Sequence, residues 1–284
     1  MTQQKDNIKR KCIVSGEYYP DEINKLKNII NSSIMSHKKN DDGKKIKSPF
    51  AIITPYEDYK TAFTVFGSAY SQISRLKYDT IIIIAPSQKI AFPGIALSKY
   101  ESFNTPFGEL FLDQESNKSL NNYKKEYFIY NDNYHASEIS IEIQLPFIYN
   151  IFKNKAKILP IIIGENNTKF TILLSNALSS LIKSKNKKFL IIVTTNLSKQ
   201  LKYDESKIMD NNFINLLKLQ NPDKLSEQLA MRQVQAHGGG GVITLLRLAE
   251  LFKIKNIKIL NYLNTGDIND NKYKVSGYFS AVLW

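Results

Sequence analysis

The sequence predicts a single-domain α/β protein with a central, mostly buried β-sheet flanked by helices. Short runs rich in β-branched residues are apolar at nearly every position, which is typical of strands buried on both faces of a sheet. Stretches with apolar residues three and four apart alternate with these runs, as in a sheet covered by helices. The predicted strands are residues 50–54, 80–85, 94–98, 157–163, 189–194, 258–263 and 275–283.

Helices are predicted at residues 21–34, 138–152, 169–182, 204–217 and 242–252. The first follows Pro20 and carries Ile23, Leu26 and Ile30 on one face,. No internal repeat or Pro-rich linker divides the chain, so we expect one domain over residues 1–284. The polar segments 1–12 and 37–47 are expected to be flexible,.

Composition indicates a protein with a large hydrophobic core and no disulfide bonds within the chain. The chain has 284 residues, of which 43% are hydrophobic,. Its single cysteine, Cys12, excludes a disulfide within the chain and a thiolate metal cluster, and fits a reducing compartment,. The start is polar, and the apolar runs are far shorter than the ~20 residues of a membrane span. We therefore expect a cytoplasmic protein without a membrane partner.

The formal net charge of +13 raises the question of a polyanionic partner,. The basic residues are mostly lysines spread thinly among many asparagines and isoleucines, a bias typical of an AT-rich genome. No groove-reading helix or aromatic platform with basic residues stands out. Nucleic acid is therefore not the expected partner, and polyanion binding stays a third hypothesis.

Four polar stretches follow predicted strands or precede a helix, where ligand sites of α/β sheets gather. They are residues 54–59, 85–89, 194–199 and 236–241. The alternative for the first two is an ordinary turn. Asn196 and Lys199 could donate hydrogen bonds into a cleft, and Lys199 could act as a base only if burial lowered its pKa. The alternative is a solvated lysine.

The fourth stretch carries four consecutive glycines, residues 238–241, before a predicted helix. Glycines allow close approach of a ligand to the backbone, and a helix N-terminus favours anions. The run matches neither the phosphate loop of nucleotide-binding proteins nor the dinucleotide fingerprint. Phosphate binding is thus a weak alternative here.

The chain has three histidines, His37, His135 and His237. His37 lies in a charged segment and is expected to be inert. His135 precedes Glu138 at a predicted helix start and is either an acid/base group of a pocket or a surface residue. A triad of His135, His237 and a carboxylate remains open, because spacing alone does not show it. Metal sites commonly take three ligands from His, Cys, Asp and Glu, and these stretches offer few.

Read in order, several motifs carry a resemblance to a known family. They are SGEYYP (15–20), PYEDY (55–59), APSQK (85–89), TPFGE (105–109), HASEISIEIQLPF (135–147), NLSK (196–199), HG (237–238), NTGD (264–267) and VSGY (275–278). Over nearly the whole chain this order resembles the Memo family, also called AmmeMemoRadiSam system protein B. The resemblance implies a fold like that of class III extradiol dioxygenases.

The same resemblance implies that the family's metal site has been largely lost. Its metal ligands fall on Tyr56, Gln88 and His237, of which glutamine is a poor ligand,. Its acid/base histidine falls on Lys199 and its aspartate on Asn196. No cofactor is therefore expected. Any bound metal would be iron, copper or zinc, held by Tyr56, Gln88 and His237.

The resemblance further implies that the corresponding side chains share one cleft. The residues assigned to it are Tyr56, Gln88, Glu138, Asn196, Lys199, His237 and Asp267. The leading hypothesis is a binding or regulatory module that holds a small molecule or an extended peptide there. The second is an enzyme that uses Tyr56, His135, Lys199 and His237 as acid/base groups or holds metal through an altered set. The family's naming implies a radical SAM enzyme as a partner.

Overall fold

The computed structural model describes residues 9–38, 46 and 48–284, with twelve strands and ten α-helices in that part of the chain. The strands are β1 (Lys9–Arg10), β2 (Ala51–Thr54), β3 (Thr80–Pro86), β4 (Ile95–Leu97), β5 (Ser102–Thr105), β6 (Gly108–Phe111), β7 (Phe128–Tyr130), β8 (Lys157–Ile163), β9 (Phe189–Thr194), β10 (Lys199–Leu201), β11 (Ile257–Asn264) and β12 (Val275–Leu283). The helices are α1 (Ile23–Lys38), α2 (Phe63–Ser71), α3 (Gln114–Tyr123), α4 (Asp132–Ser137), α5 (Ile139–Glu142), α6 (Leu145–Phe152), α7 (Thr168–Ser184), α8 (Tyr203–Lys218), α9 (Pro222–Ala230) and α10 (Gly239–Leu251).

The main sheet has the strand order β10-β12-β2-β9-β3-β8-β4-β7, and β11 pairs with β12. Its centre, β2-β9-β3-β8, is parallel, while β12 and β4 run antiparallel to their neighbours β2 and β8. The predicted α/β fold with a buried central sheet is therefore confirmed. All seven predicted strands are present with small changes at their ends.

Successive residues of β3 point to opposite faces and belong to different cores. Ile81 and Ile83 pack with α1, α2, α5 and α6, whereas Ile82 and Ile84 pack with α7, α8 and α10. Both faces of the central strands are therefore covered, and this explains why these strands are apolar at every position. The edge where the parallel strands end is left for polar residues.

Some helices differ from those predicted. The predicted helix 138–152 is divided into α5 and α6, because Gln144 turns inward to bond other segments and Pro146 begins a new helix,. Helix α2, with the sequence FTVFGSAYS, was not predicted, because it is buried almost all round and lacks a polar stripe,. The hairpin of β5 and β6 and helix α9 were also missed.

The two segments expected to be flexible fall mostly outside the described residues, namely 1–8, 39–45 and 47. Some of their described residues belong to regular elements. Lys9 and Arg10 form β1, which pairs with β5, and Arg10 is buried. His37 lies in the last turn of α1. The predicted flexibility of residues 1–12 and 37–47 stays a prediction.

Across the described ranges, no helix combines the length and the apolar character that crossing a membrane requires.

Candidate functional site

A cleft of ≈ 180 Å³ lies where the central parallel strands end. Tyr56, Gln88 and Asn196 line it, each two residues beyond the end of β2, β3 and β9, respectively. Because these strands are parallel neighbours, their carboxyl ends meet at one edge of the sheet,. Lys199 and His237 line the same cleft, so five of the seven residues assigned to it converge there.

The turns after β2 and β9 are tied together by Asn196. Its Oδ1 accepts a hydrogen bond from the backbone N–H of Tyr56 (3.0 Å), and its Nδ2 donates to the Tyr56 carbonyl (3.1 Å). The backbone N–H of His237 donates to the Asn196 carbonyl (2.9 Å). Asn196 thus fixes the positions of both Tyr56 and His237, which is a structural role at the base of the cleft.

A glycine is required directly after His237. Gly238 has φ = +120°, and a Cβ there would lie 2.5 Å from the carbonyl oxygen of Thr194,. The chain turns at this point into α10, so that the next glycines, 239–241, lie in the first turn of the helix and are buried.

The central contact of the cleft joins Tyr56 and His237. The hydroxyl of Tyr56 is hydrogen-bonded to Nδ1 of His237. Burial, followed by the charge of Glu138, raises the pKa of Tyr56. Partial burial lowers the pKa of His237, although the residue as a whole remains exposed. At neutral pH the phenol therefore keeps its proton beside an imidazole whose neutral form burial favours, and its hydroxyl also lies within hydrogen-bond distance of the His237 carbonyl (3.3 Å),.

Gln88 is held by Glu138, the buried residue at the N-terminus of α5. The backbone N–H and Nε2 of Gln88 donate to the two carboxylate oxygens of Glu138 (3.0 and 2.9 Å). Glu138 also accepts hydrogen bonds from the backbone N–H and the hydroxyl of Ser140 (2.9 and 2.7 Å). Glu138 therefore lies behind the cleft wall and positions Gln88, rather than lining the cleft itself.

Several cleft-lining residues were not among the predicted site residues. They include Tyr18, Glu57 and Tyr278. The Tyr278 hydroxyl donates to Oε2 of Glu57 (2.6 Å). The Tyr18 carbonyl accepts a hydrogen bond from the N–H of Tyr59 (2.8 Å), which anchors its segment beside the turn after β2. All three lie in motifs that carried the family resemblance. Their position within those motifs could have identified them as site residues from the sequence.

Lys199 reaches the cleft from β10, which pairs with β12 at Ser276. The residue is exposed, and its amine makes no hydrogen bond or ion pair with the residues that the structure describes. A solvated lysine at the cleft wall agrees with the alternative given above.

Two predicted site residues lie elsewhere. His135 is only 1% exposed, and its Nε2 contacts the carbonyl of Ala96 (3.3 Å) in the core. Asp267 ends a 3₁₀ turn, where it accepts from the Tyr203 hydroxyl and pairs with Lys207 (3.1 Å). Neither lines the cleft. The prediction that His135 is a pocket or surface group is wrong, and so is the assignment of Asp267 to the cleft.

A buried aspartate supports the cleft wall around residues 197–199. Asp210 accepts hydrogen bonds from the N–H of Ser198 (2.9 Å) and the hydroxyl of Tyr262 (2.8 Å). Burial raises its pKa. The neighbouring strand passes so close that a Cβ at Gly277 would lie 1.9 Å from Oδ2 of Asp210. The absence of a side chain at Gly277 therefore allows this network to form.

Gly277→Ala should destabilise the fold by about 1–3 kcal/mol, the usual cost of forcing atoms into a packed core. The cause is displacement of Asp210 from Ser198 and Tyr262. Urea unfolding followed by circular dichroism measures the change. Ser276→Ala, next to it but at a partly exposed position, should change stability by less than about 0.5 kcal/mol,. Equal stability of the two variants would contradict this account of Gly277.

Fold and site together define an α/β protein with a small polar cleft at the carboxyl ends of the parallel central strands of a mixed sheet. The family model described as Memo-like protein matches residues 10–282, and the chain belongs to this family. A MEMO1 family protein of Nitrosopumilus maritimus is 25% identical over 272 residues, covering 95% of this chain and 97% of the relative. One of Thermotoga petrophila is 25% identical over 290 residues, covering 98% and 100%.

The fold also resembles the crystal structure of an uncharacterized protein from Escherichia coli K12. The TM-score is 0.51 at 10% sequence identity, and the match covers 82% of this chain and 98% of that chain. At this identity the likeness concerns the fold alone.

The residues to which the family resemblance assigned metal ligands make hydrogen bonds that do not fit a transition-metal centre. The ligand atoms of Tyr56 and His237 are hydrogen-bonded to each other, and Tyr56 keeps its proton. The side-chain amide of Gln88 donates to Glu138. Within the described part of the chain, no three residues of the types His, Cys, Asp and Glu come together as a metal site. A metal would have to break these contacts before it could bind.

Proposed function

We propose that this Memo-family protein binds a small molecule in its cleft and does not use the family's metal centre. The hydrogen bond between Tyr56 and His237 carries the proposal, because it uses the two best ligand atoms at the metal positions to close the floor of the cleft,. Burial favours the protonated phenol, whereas binding to iron would need the phenolate,.

The size and lining of the cleft support a small molecule over an extended peptide. A cavity of ≈ 180 Å³ is below the usual range for drug-sized ligands, about 300–1,000 Å³,. Its walls combine aromatic rings with a few converging polar groups, which is the common composition of ligand pockets,. The bonds made by Asn196 and Glu138 hold these walls in place without a ligand.

Elemental mass spectrometry of protein purified without an affinity tag tests the metal part of the proposal. Iron, copper and zinc should all be far below one equivalent per chain. A His237→Ala variant should show the same low values, as should His37→Ala, which removes a histidine outside the cleft lining. Near-stoichiometric metal that disappears only in His237→Ala would overturn the proposal.

A fragment screen by protein-observed NMR tests the binding part. Small polar aromatic compounds should shift the resonances of Tyr56, Asn196 and Tyr278 together, since these residues line one cavity. Tyr56→Phe removes the hydroxyl that holds His237 and should change these shifts. A chemically varied library without any compound that shifts the cleft resonances would contradict a binding role.

An enzyme is the second candidate, favoured by the same bond between Tyr56 and His237. A protonated phenol beside a neutral imidazole can donate one proton and accept another, as general acid–base catalysis requires,. His135 cannot take part from its place in the core. A cleft ligand that is converted to product by the parent chain and not by Tyr56→Phe would support catalysis over binding.

A further inference from the structure

We infer that the ligand of the cleft is a small organic ammonium ion held by Glu57 among the side chains of Tyr18, Tyr56 and Tyr278. This inference rests on the proposed binding function and adds the chemical class of the ligand.

Glu57 can accept further hydrogen bonds in the cleft. Its Oε2 accepts from the Tyr278 hydroxyl (2.6 Å) and its Oε1 from the backbone N–H of Asp58 (3.0 Å). A carboxylate has about four lone-pair sites, so both oxygens retain capacity for a donor from a ligand. The residue is only half-buried and lines the cavity. An N–H of an ammonium ion is the donor that would gain most, because both partners would be charged.

Three tyrosines line the cavity together with Glu57. Burial raises the pKa of Tyr18, of Tyr56 and of Tyr278, and in each case the charge of Glu57 raises it further. Glu57 therefore influences the pKa of all three side chains, and it is hydrogen-bonded directly to Tyr278. The faces of aromatic rings attract cations, and a carboxylate with several aromatic residues is a common arrangement for binding an ammonium group.

The other charges around the cleft are mainly acidic. Asp58 acts on Tyr18 and Tyr278, Glu17 on Tyr18, and Glu138 on Tyr56 and His237. Lys199 is a cation at the cleft wall and acts on His237 in the opposite direction. The cleft lining itself carries one carboxylate, Glu57, and one amine, Lys199, and the three carboxylates outside the lining make the surroundings acidic in a chain whose formal net charge is +13. This local sign favours a cationic ligand and disfavours a phosphate or a carboxylate.

Lys199 would be the partner of an anionic ligand, whereas Glu57 would be the partner of a cationic ligand. An exposed lysine has a long, flexible stem that can leave the cleft, whereas Glu57 is fixed by the hydrogen bonds from Tyr278 and Asp58,. The rigid group in the cleft is the acidic one, so the cation is the ligand that the cleft is organised to hold.

Isothermal titration of the full chain with three probes of similar shape tests the inference. Benzylammonium, benzyl alcohol and benzoate differ mainly in charge. At pH 7 and constant ionic strength, benzylammonium should bind at least tenfold more tightly than the other two. Glu57→Gln keeps the shape and an acceptor for Tyr278, and it should weaken benzylammonium about tenfold or more, as expected for losing a hydrogen bond to a charged group.

Two matched variants separate the site from general charge effects. Glu126→Gln makes the same change in charge at an exposed position outside the cleft lining and should leave benzylammonium binding unchanged. Tyr278→Phe retains the ring and the carboxylate but removes one of the hydrogen bonds that fix Glu57, so it should weaken benzylammonium, and by less than Glu57→Gln does. The comparison of the three probes on the parent chain requires no variant to fold.

Three results would overturn the ammonium inference. Benzoate or benzyl alcohol binding as tightly as benzylammonium would do so, as would unchanged binding by Glu57→Gln. Failure of all three probes would also overturn it. The proposed binding function is judged separately, because it fails only if the fragment screen finds no ligand of the cleft.

Discussion

Replacing Glu142 with glutamine should destabilise the folded chain by about 3–5 kcal/mol, the usual cost of breaking a buried ion pair. Glu142 and Arg10 form an ion pair whose side chains are 0% and 1% exposed. The variant would leave the guanidinium of Arg10 buried without a counter-charge. Urea unfolding followed by tyrosine fluorescence and circular dichroism measures the change.

The cost extends beyond the ion pair because Glu142 also anchors the start of the described chain. Its carboxylate accepts hydrogen bonds from the N–H groups of Ile13 (2.9 Å) and Val14 (3.0 Å) and from the Tyr19 hydroxyl (2.7 Å). The segment that they fix carries Tyr18 to the cleft. Glu142→Gln should therefore also broaden or shift the NMR signals of Tyr18.

The exposed pair of Lys9 and Glu109 provides the matched control. It joins β1 to β6 at an N–O distance of 2.7 Å, one residue along β1 from Arg10, but its side chains are 53% and 31% exposed. Glu109→Gln should change stability by less than about 1 kcal/mol. The double variant Arg10→Met, Glu142→Leu should be more stable than Glu142→Leu alone, because it removes the buried guanidinium together with its counter-charge. A double variant with the summed loss of the two singles would argue against the ion pair as the cause.

Acidification from pH 6.5 towards pH 3 should destabilise the chain progressively through His135. Burial lowers the pKa of His135 to about 3, the backbone contact with Ala96 raises it in part, and the charge of Arg10 lowers it further. In the unfolded chain the pKa of a histidine is about 6.5. Between these values the unfolded state binds one proton more than the folded state.

The sign and slope follow from that difference in bound protons. Stability is fully present above pH 6.5 and is lost as pH falls, by up to about 1.4 kcal/mol per pH unit, until the folded pKa near 3 is reached,. Protonation of the fully buried ring in the folded chain would place a positive charge in the core without a carboxylate beside it. Guanidinium unfolding at pH 7, 6, 5 and 4.5 measures the slope.

His135→Gln can donate to the Ala96 carbonyl in place of Nε2 but does not titrate,. Its stability should vary less with pH between 6 and 4.5, even if its stability at pH 7 is lower. His37→Gln is the control. His37 is only partly buried, so burial lowers its pKa less than it lowers the pKa of His135. A slope in His135→Gln equal to that of the parent would disprove the role of His135.

Most of the fold could be predicted from local pattern. The strands β3, β8 and β9 are nearly continuous runs of isoleucine, leucine and valine, and only a sheet covered on both faces buries such runs completely,. The meeting of Tyr56, Gln88 and Asn196 was also predictable, because motifs that follow parallel strands lie at one edge. Helix α2 escaped prediction, since a helix buried all round has no polar face to reveal its period,.

The sequence by itself determined the α/β class, the family and the residue types at the carboxyl edge of the sheet, since these depend on patterns of neighbours along the chain. Tertiary structure decided which way the side chains point. Glu57 and Tyr278 are 221 positions apart, yet they bond across the cleft. His135 belongs to the same motif as Glu138, yet its ring is turned into the core, where Nε2 contacts the Ala96 carbonyl of β4 and Arg10 donates to the His135 backbone carbonyl. The positions of these side chains depend on contacts between segments far apart in the sequence, and local sequence patterns do not predict such contacts.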